Sequence, residues 1–254
     1  MYDFGYNSVR IEIRRMKMLG TYVNAGVILL GSIIGILVKN GLKDRYKWIV
    51  MHGVGLSVMF IGITTTLNGM MNGGEPILFI ISLVLGGIFG EWVNIEKRLE
   101  QLGLFLQSKV GNGEHNIAQG FVTASLLFCV GTMAILGSLE SGLRGNHDML
   151  YAKSVLDGVT SIILTSSLGI GVIFSAFSVL LYQGAIVLFA SRLESVLTAE
   201  VIREISIIGG ILIFSLGLSL LEIKKVKTAN LLPAILIPPI YFMVILPLIK
   251  MLYQ

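Results

Sequence analysis

The stretch SVLDGVTSIILTSSLGIGVIFSAFSVLLYQGAIVLF, residues 154–189, holds one charged side chain, Asp157, across a run too long for a single membrane helix. A span needs about 20 mostly apolar residues, because the hydrocarbon core is roughly 30 Å thick and a helix rises about 1.5 Å per residue. Gly169 and Gly171 sit near the middle of the stretch. We read two helices broken there, and this reading sets the number of crossings at eight; an unbroken reading leaves seven.

Outward from that stretch the same pattern recurs. Residues 23–38 contain no charge, 48–67 contain only His52 among ionisable groups, and 76–90 and 118–139 are again free of charge. Later come 205–221 and 231–249. Of 254 residues, 54% are hydrophobic and 13% charged, about half the usual soluble share of roughly 25%. Mean hydropathy is +0.84. Unbroken apolar runs, rather than alternating ten-residue segments, point to helices that satisfy their own backbone in lipid. The fold class is therefore all-α, a polytopic transmembrane helical bundle of seven or eight spans.

Loop charges set the orientation, since short cytoplasmic loops carry the excess of Lys and Arg. Lys39, Lys43, Arg45 and Lys47 lie in the first loop, none in 68–75, and Lys97, Arg98 and Lys109 after the third span. Loops one and three are then inside. Later charges do not choose between seven and eight spans, because both give ten basic residues inside and five outside. Residues 1–17, with Arg10, Arg14, Arg15 and Lys17, read as a polar leader; no A-x-A site follows them, so a cleaved signal peptide is not expected. Residues 18–254 read as one transmembrane domain. The net charge of +4 comes from loop lysines and implies no nucleic-acid partner.

An internal repeat is read within that domain. Asn24-Ala25 with 28–30 matches Ser175-Ala176 with 179–181, Gly55 and Gly62 match Gly210 and Gly217, and Pro76 matches Pro233. The matched residues are few and mostly small or aliphatic. In the eight-span reading the repeat pairs spans 1–3 with spans 6–8 and is inverted, as in secondary transporters. This divides the chain into a first repeat, 18–93, an interfacial helix, 94–110, linking helices, 115–168, and a second repeat, 169–250. In the interfacial segment Ile95, Leu99, Leu102 and Leu106 share one face, with Lys97, Arg98 and Glu100 off it, suited to a membrane surface or a docking partner.

Polar residues inside apolar runs are the site candidates. Ser154, Asp157, Ser161, Thr165 and Gly169 recur at spacings of three and four, so they share a helix face. His52, Gly55, Met59, Gly62 and Thr66 form a second stripe, and Ser125, Cys129 and Thr132 a third. Such stripes line either a polar route or a packed seam, because small residues and hydroxyls also join helices in lipid. Gly31-x-x-x-Gly35 and Gly86-x-x-x-Gly90 read as packing motifs. Carboxylates at membrane depth need partners or water. Glu91 and Glu222 end spans in the headgroup zone, whereas Glu140 and Asp157 flank one loop and are placed to hold a cation or proton; Asp157 also suits a helix N-cap. Asn230 is placed to cap the last span, where Pro238-Pro239 removes two amide donors and forces a kink. Asn24, Glu140, Asp157, Ser161, Thr165, Ser175 and Asn230 are the residues expected along a substrate or ion route.

No P-loop, HExxH or GxSxG occurs, and the lone Cys129 permits neither an intrachain disulfide nor a CxxC site. Neither enzyme activity, nor a cofactor, nor a bound metal is expected.

The segments GTYVNAGVILLGSIIG (20–35), FCVGTMAILGSLESGL (128–143), LDGVTSIILTSSLGIGV (156–172) and LLEIKKVKTANLLPA (220–234) carry a family likeness. In combination they resemble the YdfK/YqgA-like bacterial integral-membrane family, domain-of-unknown-function family 554, from Met18 to about Leu248. The resemblance implies a multi-pass protein of the bacterial cytoplasmic (inner) membrane and the family's label, an uncharacterised or transport protein, with no established substrate. It supplies no site residue. The expected function is secondary transport of a small solute or ion, with a non-transporting scaffold or accessory subunit as the alternative. The expected partners are the lipid bilayer, that solute, and a second copy in a homo-oligomer.

Overall fold

The computed structural model describes residues 17–41, 44–110 and 117–252. Residues 1–16 of the leader, with Arg10, Arg14 and Arg15, and the first residues of the linking segment, 115–116, lie outside them. The described residues form helices joined by short turns, with no strand among them. In chain order they are α1 Leu19–Gly41, α2 Asp44–Met71, α3 Pro76–Val93, α4 Ile95–Val110, α5 Ile117–Cys129, α6 Thr132–Arg144, α7 Asp148–Leu168, α8 Ser175–Leu193 and α9 Ala199–Leu220. A composite terminal helix follows over residues 228–252.

Six of these are long and apolar enough to cross a membrane: α1, α2, α3, α8 with its preceding 3-10 turn, α9 and the terminal helix. α5 and α6 together make a seventh, bent by 59°. α7 carries Lys153 and Asp157 and is not one of these seven by composition, but its 21 residues reach about 30 Å at 1.5 Å each and it lies along α1.

Helix directions follow from close approaches at glycines. Gly20 lies against Leu150, Gly31 against Gly158 and Gly35 against Ile162, so α1 and α7 run parallel. Ser125 of α5 bonds Ser178, and Gly142 of α6 lies against Val187, so the bent pair runs parallel to α8. Gly62 meets Gly210 while Gly55 meets Leu221, making α2 and α9 antiparallel; Gly86 at Ala234 and Gly90 at Asn230 do the same for α3 and the terminal helix. Eight alternating crossings require these four relations. A Cβ at Gly62, Gly86 or Gly90 would run into backbone of the facing helix. These seams therefore gain backbone-to-backbone packing, the main source of helix association in lipid.

The break expected at 169–171 is present. α7 ends at Leu168, Gly169 takes φ 84°, a conformation favouring glycine, and one 3-10 turn over Ile170–Phe174 leads into α8. Pro238 and Pro239 leave the terminal helix irregular: a 3-10 start with Pro233 inside, a short α segment, a π turn over Tyr241–Ile245, then α again. Burial divides the bundle, with α9 the most buried of these six spans and the terminal helix the least. Leu30, Leu37, Phe60, Ile77, Trp92 and Val155 form part of the exposed apolar exterior. In a membrane that surface meets lipid. α4 follows α3 after a sharp turn at Asn94, φ 58°, and at 16 residues is too polar and short to span.

Candidate functional site

Between Cys129 and Thr132 the chain leaves one helix and starts another, with Gly131 at φ 154° and ψ 151°, a conformation open essentially to glycine alone. No side chain caps the start of α6. A cavity of about 650 Å³ opens against this break. Its walls are residues 127–136 of the broken span, 61–72 of α2, 153–160 of α7 and 199–206 of α9. Thr64, Thr65, Asn68, Asn72, Thr160 and Ser206 give it hydrogen-bonding groups among apolar neighbours.

Lys153 and Asp157 lie one helical turn apart on α7, so their side chains meet. Lys153 Nζ donates to Asp157 Oδ2 at 2.5 Å, with both side chains 8% exposed. Asn24 Nδ2 of α1 donates to the same oxygen at 3.0 Å. The carboxylate thus has one donor from its own helix and one from the neighbouring span. Lys153 Nζ also stands 5.9 Å from the centre of the Phe128 ring, within cation–π range. At the α9 wall, Arg203 Nε is 3.8 Å from Glu204 Oε1, and that oxygen accepts the Glu75 amide at 2.9 Å.

The same helices close below the cavity. Val54 and Val58 of α2, Ala124 and Phe128 of α5, Leu164 and Leu168 of α7, and Ile213, Leu216 and Leu220 of α9 form one buried apolar cluster. Phe128 belongs both to this cluster and to the cavity lining. The four elements therefore part on one side of Phe128 and pack dry on the other.

Of the expected route residues, Asp157 lines the cavity and Asn24 bonds it. Ser161 and Thr165 are fully buried in the α1–α7 seam, where Gly31 and Gly35 face them. Ser161 donates to the Gly158 carbonyl at 2.8 Å. Ser175 is buried at the start of α8 and donates to the Val172 carbonyl at 2.6 Å. Glu140 is half-buried on α6, outside the cavity lining. Asn230 belongs to a separate clamp rather than capping its own helix. Its Nδ2 donates to Glu91 Oε2 at 2.5 Å and its Oδ1 accepts the Glu96 amide at 2.7 Å. Glu96 Oε2 accepts the Ala229 amide at 3.0 Å and Lys227 bonds Glu91 at 2.5 Å, which ties α3, α4 and the terminal helix together.

Of the other stripes, Thr66 donates to the Ile207 carbonyl of α9 at 3.2 Å, and His52 Nδ1 lies 2.9 Å from the Trp48 carbonyl of its own helix. Lys153, Arg203 and the Gly131 break are site features missed in the stripe reading. Lys153 had a legible signal, a cation four residues before a carboxylate in an apolar run. Among the described residues no group of three or more His, Cys, Asp or Glu is placed to hold a metal.

Comparison with known proteins places this architecture in a family. The chain is similar to the "Uncharacterized membrane protein YdfK" of Bacillus subtilis (strain 168), with 44% identity over 90% of this chain and 97% of the relative. It is similar also to the "Uncharacterized protein YqgA" of Escherichia coli (strain K12), with 28% identity over 87% of this chain and 94% of the relative. No solved structure matches. The family described as "Protein of unknown function (DUF554)" matches residues 19–243, from α1 into the terminal helix, and this membrane protein belongs to it.

Proposed function

We propose that the protein is a secondary transporter or permease of a bacterial cytoplasmic membrane, passing a small solute or ion through the cavity at the broken α5–α6 span and performing no enzyme chemistry. The observation that carries this reading is the division of one helix set into a cavity with a polar floor and a dry apolar cluster. A bundle open on one side and sealed on the other is the ground state that alternating access needs. The charge pair at the floor adds weight, because ionisable groups at membrane depth are costly and usually mark a route.

The repeat reading agrees with the packing. A half-turn exchanging α1 with α8, α2 with α9 and α3 with the terminal helix would pair the α5–α6 span with α7. It then carries the parallel α1–α7 pair onto the parallel pair of α8 with α5–α6. On the α2–α9 seam it carries the approach of Gly62 to Gly210 onto that of Gly217 to Gly55.

The scaffold alternative draws on α4, which exposes Leu104 and Phe105. Flux separates the two. Purified protein in proteoliposomes, screened with inorganic ions, amino acids and organic acids, is expected to give saturable uptake that Asp157→Asn reduces at least tenfold while remaining folded. Absence of flux across the panel from monodisperse protein would favour the scaffold.

A further inference from the structure

Both partners at the cavity floor keep bonding capacity to spare. Asp157 Oδ2 takes donors from both Lys153 and Asn24. Lys153 has three N–H donors, and among the described residues its one hydrogen bond goes to Asp157, with the Phe128 ring beside it. Its side chain is more than nine-tenths buried yet lines the cavity. A cation drawn to Asp157 would bring like charge beside a buried ammonium. An anion would instead accept a spare Lys153 donor and leave the Asp157 bonds in place. Charge at the walls follows the same sense. Lys153, Asp157 and Arg203 are the charged side chains of the lining, two cations against one carboxylate. The start of α6, which has no side-chain cap, adds the positive end of its dipole beside them. Glu204, 3.8 Å from Arg203 Nε, moderates the cation at the wall but lies outside the lining.

From the spare donors of this buried lysine and the excess of cations in the lining we infer that the cavity receives a small organic anion, its carboxylate held by Lys153 at the floor and its short apolar or hydroxylated body against the threonines and aliphatic side chains of α2 and α6. A volume of about 650 Å³ accommodates such a solute with water. The inference names the substrate class for the transport reading above and rests on it for the direction of use, not for binding.

The test separates binding from flux. Three probes of nearly one shape, propionate, propionamide and propylammonium, are titrated at constant ionic strength against the purified full chain, reading its melting temperature. Propionate is expected to stabilise saturably, and the other two not to. Lys153→Gln should weaken the propionate effect about tenfold or more, the scale of one charge-assisted hydrogen bond, and Lys153→Arg should retain it. Should Lys153→Gln not fold, Arg203→Gln serves, with weakened propionate stabilisation expected and an unchanged response counting against the site. Equal stabilisation by propionamide or propylammonium, or a propionate response intact in folded Lys153→Gln, overturns the inference. In proteoliposomes, propionate binding without flux leaves the anion site standing and removes the transport reading. Flux of propylammonium or propionamide alone does the reverse.

Discussion

Asp157 is the residue on which sequence and structure meet most closely. Its spacing with Ser154, Ser161 and Thr165 marks one helix face, and that face does pack on α1, where Gly31 and Gly35 leave room for it. Sequence periodicity could not say that the stripe divides, with Ser161 and Thr165 closed in a seam while Asp157 reaches a cavity. That division depends on where α1 has glycines and where it has Asn24, a tertiary fact. Energetically, the Lys153–Asp157 pair is a buried salt bridge whose two charges are worth keeping only together. Removing one partner from such a pair costs about 3–5 kcal/mol, whereas replacing both with apolar residues is often neutral. Lys153→Met and Asp157→Leu should each lower unfolding stability by about that amount, and the double variant by much less. A denaturation series on the four proteins checks this; additive losses would show that the two residues do not act as a pair.

At the scale of elements, the apolar runs and the break at Gly169 were legible because each rests on local chemistry: hydropathy over about 20 residues and a glycine in a conformation favouring it. The prolines of the terminal helix were legible for the same reason, as each removes a known donor. The α5–α6 break was not. Residues 118–139 read as one continuous run, and nothing in that run marks Gly131, rather than Gly120 or Gly137, as the glycine that takes a positive φ. Asn230 is the converse case. Its type suits an N-cap, but the Glu91 carboxylate and Glu96 amide, brought in from α3 and α4, take its amide group instead. Its role is to hold α4 against the bundle. Asn230→Ala is therefore expected to speed amide hydrogen exchange across residues 95–110 at least tenfold while leaving α7 and α9 protected. Unchanged exchange there would mean that the Glu96–Ala229 bond and packing on α5 hold α4 without Asn230.

For the whole molecule, helix directions that suit eight alternating crossings, the glycine seams and the one-sided cavity form a single account. The exterior is apolar where lipid covers it, α9 is the buried centre, and the four elements around Phe128 part toward one face. The membrane class, the all-helical fold and nearly the full span count could be read from composition and run length, since lipid permits few alternatives. The cavity could not, because it forms from the end of α2, the start of α9 and the interior of two other spans, which meet only in the folded chain. Its being a water-filled solute path is the central claim. The direct measurement is thiol accessibility in sealed proteoliposomes, with Cys129→Ser as background and Thr160→Cys in the cavity wall beside Val155→Cys on the exposed exterior. A membrane-impermeant thiol reagent should modify Thr160→Cys, stop solute flux through it, and leave Val155→Cys unreacted. A Thr160→Cys that is inert to the reagent in folded protein, or whose modification leaves flux unchanged, would contradict the account.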